Sequence, residues 1–294
     1  MTEFLPKELD TYIYWIHERE VIRIAKEDLN LSPPWTDDKV LQKYKFCQVF
    51  REDDRTTRWF CEHIREPLKD STDVFMATVI FRWFNYIESG KTLIKHDLLC
   101  NWDRKKAIEE ISKQNKWVTG AYIIKTPNRM NKVTGVAECI SHMWKDKNYL
   151  IDKMNSTHSL EDIWNVLRDY PYMGPFMAYE VVTDLRHTYI GYGCDDILTW
   201  ANPGPGAMRG LNRLTGRELG FCKRSHPWNE EMQELLKIAF ERLNNNIIDL
   251  DKFEMREVEG GLCEFDKYSR TVKKEGKTRS IYKYNKDLPL VEGL

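Results

Sequence analysis

The chain has 294 residues, 45 Lys+Arg against 46 Asp+Glu and 41% apolar residues, with a mean hydropathy of −0.60; this composition excludes disorder and a membrane-embedded chain. Its length suffices for one large domain or two small ones, burying about three quarters of the unfolded surface. No window approaches about 18 consecutive apolar residues, and the opening MTEFLPKELD lacks a basic segment followed by an apolar one; the expectation is a cytoplasmic protein with no membrane partner. The seven cysteines are scattered, odd in number and never in CxxC spacing, which predicts reduced thiols and no structural metal.

Helical periodicity dominates in chain order. Tyr12, Ile13, Ile16, Ile22 and Ile24 recur at helical spacing within residues 9–29, and Ser32-Pro33-Pro34 ends that segment. A second helix is expected from Thr36-Asp37-Asp38 through Phe50. Residues 73–87 are apolar almost all round, the mark of a helix inside a bundle. Residues 102–114, 136–155, 160–168, 175–185 and 229–244 complete the helices, and residues 118–125 form a strand candidate. No repeat or Ser/Gly-rich linker interrupts the chain. The prediction is an all-α fold with little or no β-structure, a single helical unit over residues 1–268 with two lobes left open, and a basic tail at 269–294. In that tail Lys273, Lys274, Lys277, Arg279, Lys283 and Lys286 alternate with Tyr282 and Tyr284.

Ser89-Gly90-Lys91-Thr92 contains the GKT of a phosphate loop, but the earlier glycine of that motif is replaced by Asn85 and the stretch follows a helix. Gly90 is better read as a helix C-cap. The informative stretch is LRDYPYMGPFMAYEVVTDL, residues 167–185. One helix ends at Asp169, a Pro-Tyr-Met-Gly-Pro turn follows, and Pro175 opens the next helix, where a missing N–H costs nothing. Gly174 permits close backbone approach, and the unpaired amides of the second helix suit an anion such as a DNA phosphate. A plain αα-hairpin remains the competing reading.

The segment resembles the helix-hairpin-helix of DNA glycosylases, with Ala178 at the small packing position. In that superfamily a catalytic Asp follows, then a helix with an Arg and an Arg-Leu pair. Here the chain reads Cys194-Asp195-Asp196-Ile197-Leu198-Thr199-Trp200, then a Pro-Gly insertion, then Arg209 and Arg213-Leu214. The end of the second hairpin helix carries Glu180, Thr183 and Asp184 and no lysine nucleophile. The resemblance implies a helix-hairpin-helix, glycosylase-like fold that contacts DNA through Tyr172, Met173, Gly174, Pro175, Phe176 and Arg213.

Two further segments, Phe50 to Trp59 and Arg256 to Tyr268, resemble signatures of the bacteriophage α-glutamyl/putrescinyl thymine pyrophosphorylases, the amino acid:DNA transferases related to the helical domain of 5-hydroxymethyluracil DNA kinases. The resemblance runs from about Tyr12 to Tyr268. It implies an enzyme of thymidine hypermodification. Its partners are double-stranded DNA carrying pyrophosphorylated 5-hydroxymethyluracil and a free amino acid or polyamine, and its product carries the amine in place of pyrophosphate. A base reacting at C5 is expected to be flipped out of the duplex.

Pyrophosphate departure calls for fixed positive charge. Arg51, Arg55 and Arg58, with Asp54 among them, stand at i, i+4, i+7 spacing and would share one helix face; a solvated, salt-bridged face is the alternative. Arg209 joins them by the glycosylase resemblance. Deprotonating the incoming ammonium needs a carboxylate, assigned to Asp196 with Asp195 behind it, against a purely capping role. Glu264 and Lys267 extend the pocket on the strength of the motif. No cofactor is expected, a divalent ion accompanying the pyrophosphate stays open, and the expected state is a monomer. A glycosylase acting on a modified thymine and a noncatalytic DNA-binding module are the other readings.

Overall fold

The computed structural model describes residues 2–120, 122, 124–276, 278, 281, 282 and 284; Lys277, Arg279, Lys283 and Lys286 of the basic tail lie outside them. Among the described residues the fold is all-α, with one isolated antiparallel bridge between Tyr44 and Ile281 and no strand. No helix is long and apolar enough to cross a membrane.

The chain divides into two compact units. The first combines residues up to Asp54 with those from Pro203 onward. It holds α1 (Pro6–Arg23), α2 (Lys39–Lys43), and, after the second unit in chain order, α12 (Pro205–Thr215), α13 (Trp228–Arg242) and α14 (Met255–Val272). The second unit, 55–202, holds α3 (Arg55–Phe60), α4 (Glu66–Leu68), α5 (Asp73–Phe84), α6 (Ile87–Lys95), α7 (Arg104–Ser112), α8 (Lys132–Lys145), α9 (Lys147–Asn155), α10 (Leu160–Arg168) and α11 (Pro175–Leu185). Because the first unit draws on both ends of the chain, no Ser/Gly-rich linker need mark the divide.

In the first unit, α2 is much shorter than the expected helix over 36–50. Asp38 caps it by accepting from Val40 N (2.7 Å) and Leu41 N (3.1 Å), but Tyr44 turns extended at φ −109°, ψ 147°. The apolar residues that read as helical are buried from an irregular segment instead. Phe46 packs edge-on to Trp15 and Tyr268, and Phe50 edge-on to Phe253. α12 and α14 make the most extensive helix contact of the fold. α14 runs past residue 268 to Val272, and beyond it Tyr282 N donates to Lys43 O (2.9 Å) while Tyr282 and Tyr284 pack on Trp35.

In the second unit α5 is buried from Val74 to Phe84, as an all-round apolar helix must be. It ends at Asn85, whose left-handed φ of 43° sets the break before α6. Gly90 does not cap a helix: it lies inside α6, fully packed, where a Cβ would run into the rings of Trp59 and Phe81. The segment 118–125 pairs with no strand; Thr119 N donates to Phe84 O (3.2 Å) and Tyr122 reaches α11. The helix expected over 136–155 is two, separated at Asp146.

Candidate functional site

In the second unit α10 and α11 form the hairpin with the boundaries read from sequence. Met173 N donates to Tyr170 O (3.2 Å), and Ala178 N to both Met173 O (3.1 Å) and Gly174 O (3.0 Å). Two residues carry the turn in the left-handed region, Tyr172 at φ 65° and Gly174 at φ 35°. Glycine is needed at 174 for that conformation, and a side chain there would meet nothing within 4 Å. Tyr172, Gly174, Pro175 and Phe176 are exposed, Phe176 at 46%. Met173 differs from its expected role. Its side chain is fully buried and anchors the turn from inside, leaving no surface for DNA.

Asp196 is placed where a second helix needs it. Its Oδ1 accepts from Leu160 N (2.7 Å), and its Oδ2 accepts from Glu161 N (3.0 Å) and Ser159 Oγ (3.0 Å). Ser159 is the N-cap of α10 and accepts from Asp162 N (3.2 Å), so one carboxylate and one hydroxyl together satisfy the orphan amides of that helix start. Asp195, exposed, donates its backbone N–H to His158 O (3.1 Å) and tethers the same loop. Asp196 thus fixes α10 and, through it, the hairpin. An amide offers one acceptor oxygen where two are used. Asp196→Asn is therefore expected to lower stability by about 1–3 kcal/mol, read as a drop in thermal midpoint; an unchanged midpoint would return Asp196 to the role of an unencumbered base.

The three arginines do not share a helix face. Arg51 opens a 3-10 turn over Arg51–Asp53, Asp54 is extended at ψ 130°, and only then does α3 begin with Arg55 and carry Arg58. The break follows from the local charge run, in which no apolar stripe sustains a continuous helix. Arg55 and Arg58 belong to the unit of the hairpin, Arg51 to the other.

Beneath the hairpin helix lies a polar layer that sequence reasoning missed. Arg82 and Asp184, both essentially unexposed, form a bidentate pair: Arg82 Nη2 donates to Asp184 Oδ1 (2.9 Å) and Nε to Oδ2. Arg82 also donates to Asn85 Oδ1 (2.9 Å) and Thr57 Oγ1 (3.3 Å) and stacks over Phe60. The network joins α3, α5 and α11. A lone arginine in the apolar run of α5 was the available signal, since a charge there must find a buried partner. One turn nearer the hairpin, the buried Glu180 accepts from the Tyr122 hydroxyl.

In the first unit the structure gathers Arg51, Asp54, Glu264 and Lys267 around the segment 46–54. Glu264 Oε2 accepts from Cys47 N (3.1 Å) and Lys267 Nζ (3.0 Å), Asp54 Oδ1 accepts from Gln48 N (3.3 Å), and Lys267 lies over the Phe46 ring. Burial pushes the Asp54 carboxyl above its ordinary range, opposed by the Gln48 amide and the Arg51 charge. The Glu264 charge, then burial, raises the Cys47 thiol. The buried Arg19 adds donors to Gln48 Oε1 (2.9 Å) and Cys47 O (3.3 Å). Glu259, bonded to Arg256 Nη1 (3.0 Å), accepts from Gly204 N (3.2 Å) at the start of α12. Glu257, buried behind them, is pushed up to about 7 by burial.

Arg209 and Arg213 share Asp266, at 2.9 and 2.8 Å, and Arg213 also holds Glu275. Arg213 is buried, so its guanidinium braces α12 on α14 and has no face left for DNA; Arg209 keeps a side chain 39% exposed. Among the described residues no group of three or more His, Cys, Asp or Glu is arranged to hold a metal.

Residues 6–278 match the family described as the helical domain of 5-hmdU DNA kinase. A 5-hmdU DNA kinase of Bacillus phage SP10 is 26% identical over 294 aligned residues, 88% of this chain and 44% of that protein, so the chain spans under half the length of its curated relative. No solved structure matches. With the match extending over both units, the chain belongs to the family of 5-hmdU DNA kinase helical domains.

Proposed function

We propose that the chain serves phage thymidine hypermodification, replacing the pyrophosphate of 5-pyrophosphoryloxymethyl-deoxyuridine in DNA with an amine, an amino acid α-amine or a polyamine. The observation that carries this reading is the family match over 6–278 in a chain whose GKT tripeptide lies inside the helix α6. That geometry cannot wrap a nucleotide phosphate, which needs a glycine-rich loop with its amides turned inward. The work of the helical region is therefore separate from ATP-dependent phosphorylation, and it acts on the modified base.

The hairpin supports DNA binding in this reading. The amides of Gly174, Phe176 and Met177 open α11 beside an exposed glycine and face a strand phosphate. Arg55 and Arg58 on α3 compensate the departing pyrophosphate, whose charge is most concentrated as the C–O bond breaks.

The test is incubation with DNA bearing 5-pyrophosphoryloxymethyl-deoxyuridine and a mixture of amino acids and putrescine, followed by nucleoside mass spectrometry and a pyrophosphate assay. The expected result is one amine-bearing nucleoside per pyrophosphate released. Free base with an abasic site would make the chain a glycosylase, and DNA binding without chemistry would make it a binding module; either overturns the proposal.

A further inference from the structure

With Asp196 committed to the start of α10, the amine still needs a proton acceptor. We propose that Tyr122 and Glu180 form that acceptor, a two-residue relay beside the hairpin; the inference rests on the amine-transfer reading above. Phe176 and Glu180 are one turn apart on α11 and share a face. Tyr122 bridges them. Its ring stands edge-on to the exposed Phe176 ring, with centroids 5.0 Å apart and an interplanar angle of 84°, and its hydroxyl donates to Glu180. Glu180 itself is only 6% exposed while Tyr122 is partly exposed, so the phenol is the member that meets solvent and the carboxylate the member that stores the proton. The buried Glu180 carboxyl costs desolvation energy that an apolar side chain would not.

The step balances. The donor R–NH₃⁺ gives a proton to Tyr122 Oη as the Tyr122 hydroxyl proton passes to Glu180, which becomes a neutral acid. The freed nitrogen lone pair forms the C–N bond to the C5-methylene, the C–O bond breaks, and pyrophosphate leaves with its electron pair. The product is a secondary ammonium, and Glu180 returns its proton to water. The net transfer runs from an ammonium, ordinarily near about 10, to a carboxylate, ordinarily near about 4, so it is uphill by itself and is drawn forward by attack of the freed amine and departure of pyrophosphate. Phe176 offers its exposed face to the unstacked base, which places the reacting methylene next to the phenol.

The experiment compares two donors on pyrophosphorylated DNA at neutral pH: putrescine, which arrives protonated, and methoxyamine, which arrives as the free base. With putrescine, Glu180→Gln is expected to lose about 10²–10⁴-fold in rate and Tyr122→Phe a smaller factor. With methoxyamine both variants should stay within about threefold of wild type, because no proton needs to leave before attack. A structural role would depress both donors alike. Equal loss with the two donors, or a Glu180→Gln rate near wild type with putrescine, overturns the relay. Should Glu180→Gln fail to fold, Tyr122→Phe, outside the helices, decides alone by the same comparison. A wild-type protein that binds the DNA but consumes neither these amines nor any amino acid overturns the amine-transfer reading and the relay with it, an outcome distinct from any difference between variants.

Discussion

Asp184→Ala is expected to destabilise the protein by about 3–5 kcal/mol, because it takes from a buried guanidinium the carboxylate that accepts two of its hydrogen bonds. Arg82 is 1% exposed and Asp184 0%, so water cannot stand in for the missing acceptor. Asn85 and Thr57 remain as neutral acceptors of Arg82, which keeps the loss below that of a bare ion in an apolar medium. Arg82→Met with Asp184→Leu should recover most of the stability, since a well-packed apolar pair avoids the desolvation that the ion pair incurs. The pair and the double variant are compared by urea unfolding. A single variant within about 1 kcal/mol of wild type would mean that the network is held open to solvent. Function is expected to part company with stability in the double variant. Thr57 lies between Arg55 and Arg58 on α3, and Arg82 links it to the hairpin helix. An apolar replacement refolds the layer but releases α3 from α11, and with it the register between Arg55, Arg58 and the hairpin.

The helices came from periodicity because an apolar stripe is a local property. The hairpin helices α10 and α11 begin and end where Ser159, Asp169, Gly174 and Pro175 indicate, since caps and proline act within one turn. The failures occur where a distant partner overrides the local pattern. Phe46 and Phe50 look helical in sequence, yet Trp15, Tyr268 and Phe253 bury them from an irregular segment. Arg51, Arg55 and Arg58 have helical spacing, but Asp54 is extended between them. Asp196 was a sound choice as an acid near the hairpin; its three donors lie 35 to 37 residues away, and no spacing rule reveals a helix start borrowed from another loop. Glu264, by contrast, does come beside the segment that holds Asp54, accepting from Cys47 N across 217 residues and adding to the burial that raises the Asp54 carboxyl. Tyr122 was missed for a different reason: a tyrosine in a strand candidate reads as a surface aromatic, and only the folded chain sets its hydroxyl on Glu180.

Gly210→Ala is expected to destabilise the protein by about 1–3 kcal/mol even though alanine is the better helix former by about 1 kcal/mol. Gly206 and Gly210 are one turn apart on α12 and face α14. A Cβ on Gly206 would meet the Cys263 side chain, which can rotate away, whereas a Cβ on Gly210 would meet the Leu262 carbonyl, with the carbonyl carbon at 3.0 Å. Backbone inside a helix cannot move by itself, so α12 and α14 must separate. Leu262 is two residues before Glu264, and the same displacement draws Glu264 from Cys47 N and Lys267 from Phe46 while straining the Asp266 bridge to Arg209 and Arg213. Gly206→Ala is therefore the milder variant. Gly220→Ala is the control for helix-independent glycine effects, with only Glu218 at 4.0 Å, and should stay within about 0.5 kcal/mol of wild type. Thermal midpoints rank the three. If Gly210→Ala melts with or above Gly220→Ala, the close crossing of α12 and α14 is not what holds the charged cluster together. If it melts lower, the crossing sets the geometry in which Glu264 holds the Cys47 amide and Lys267 the Phe46 ring.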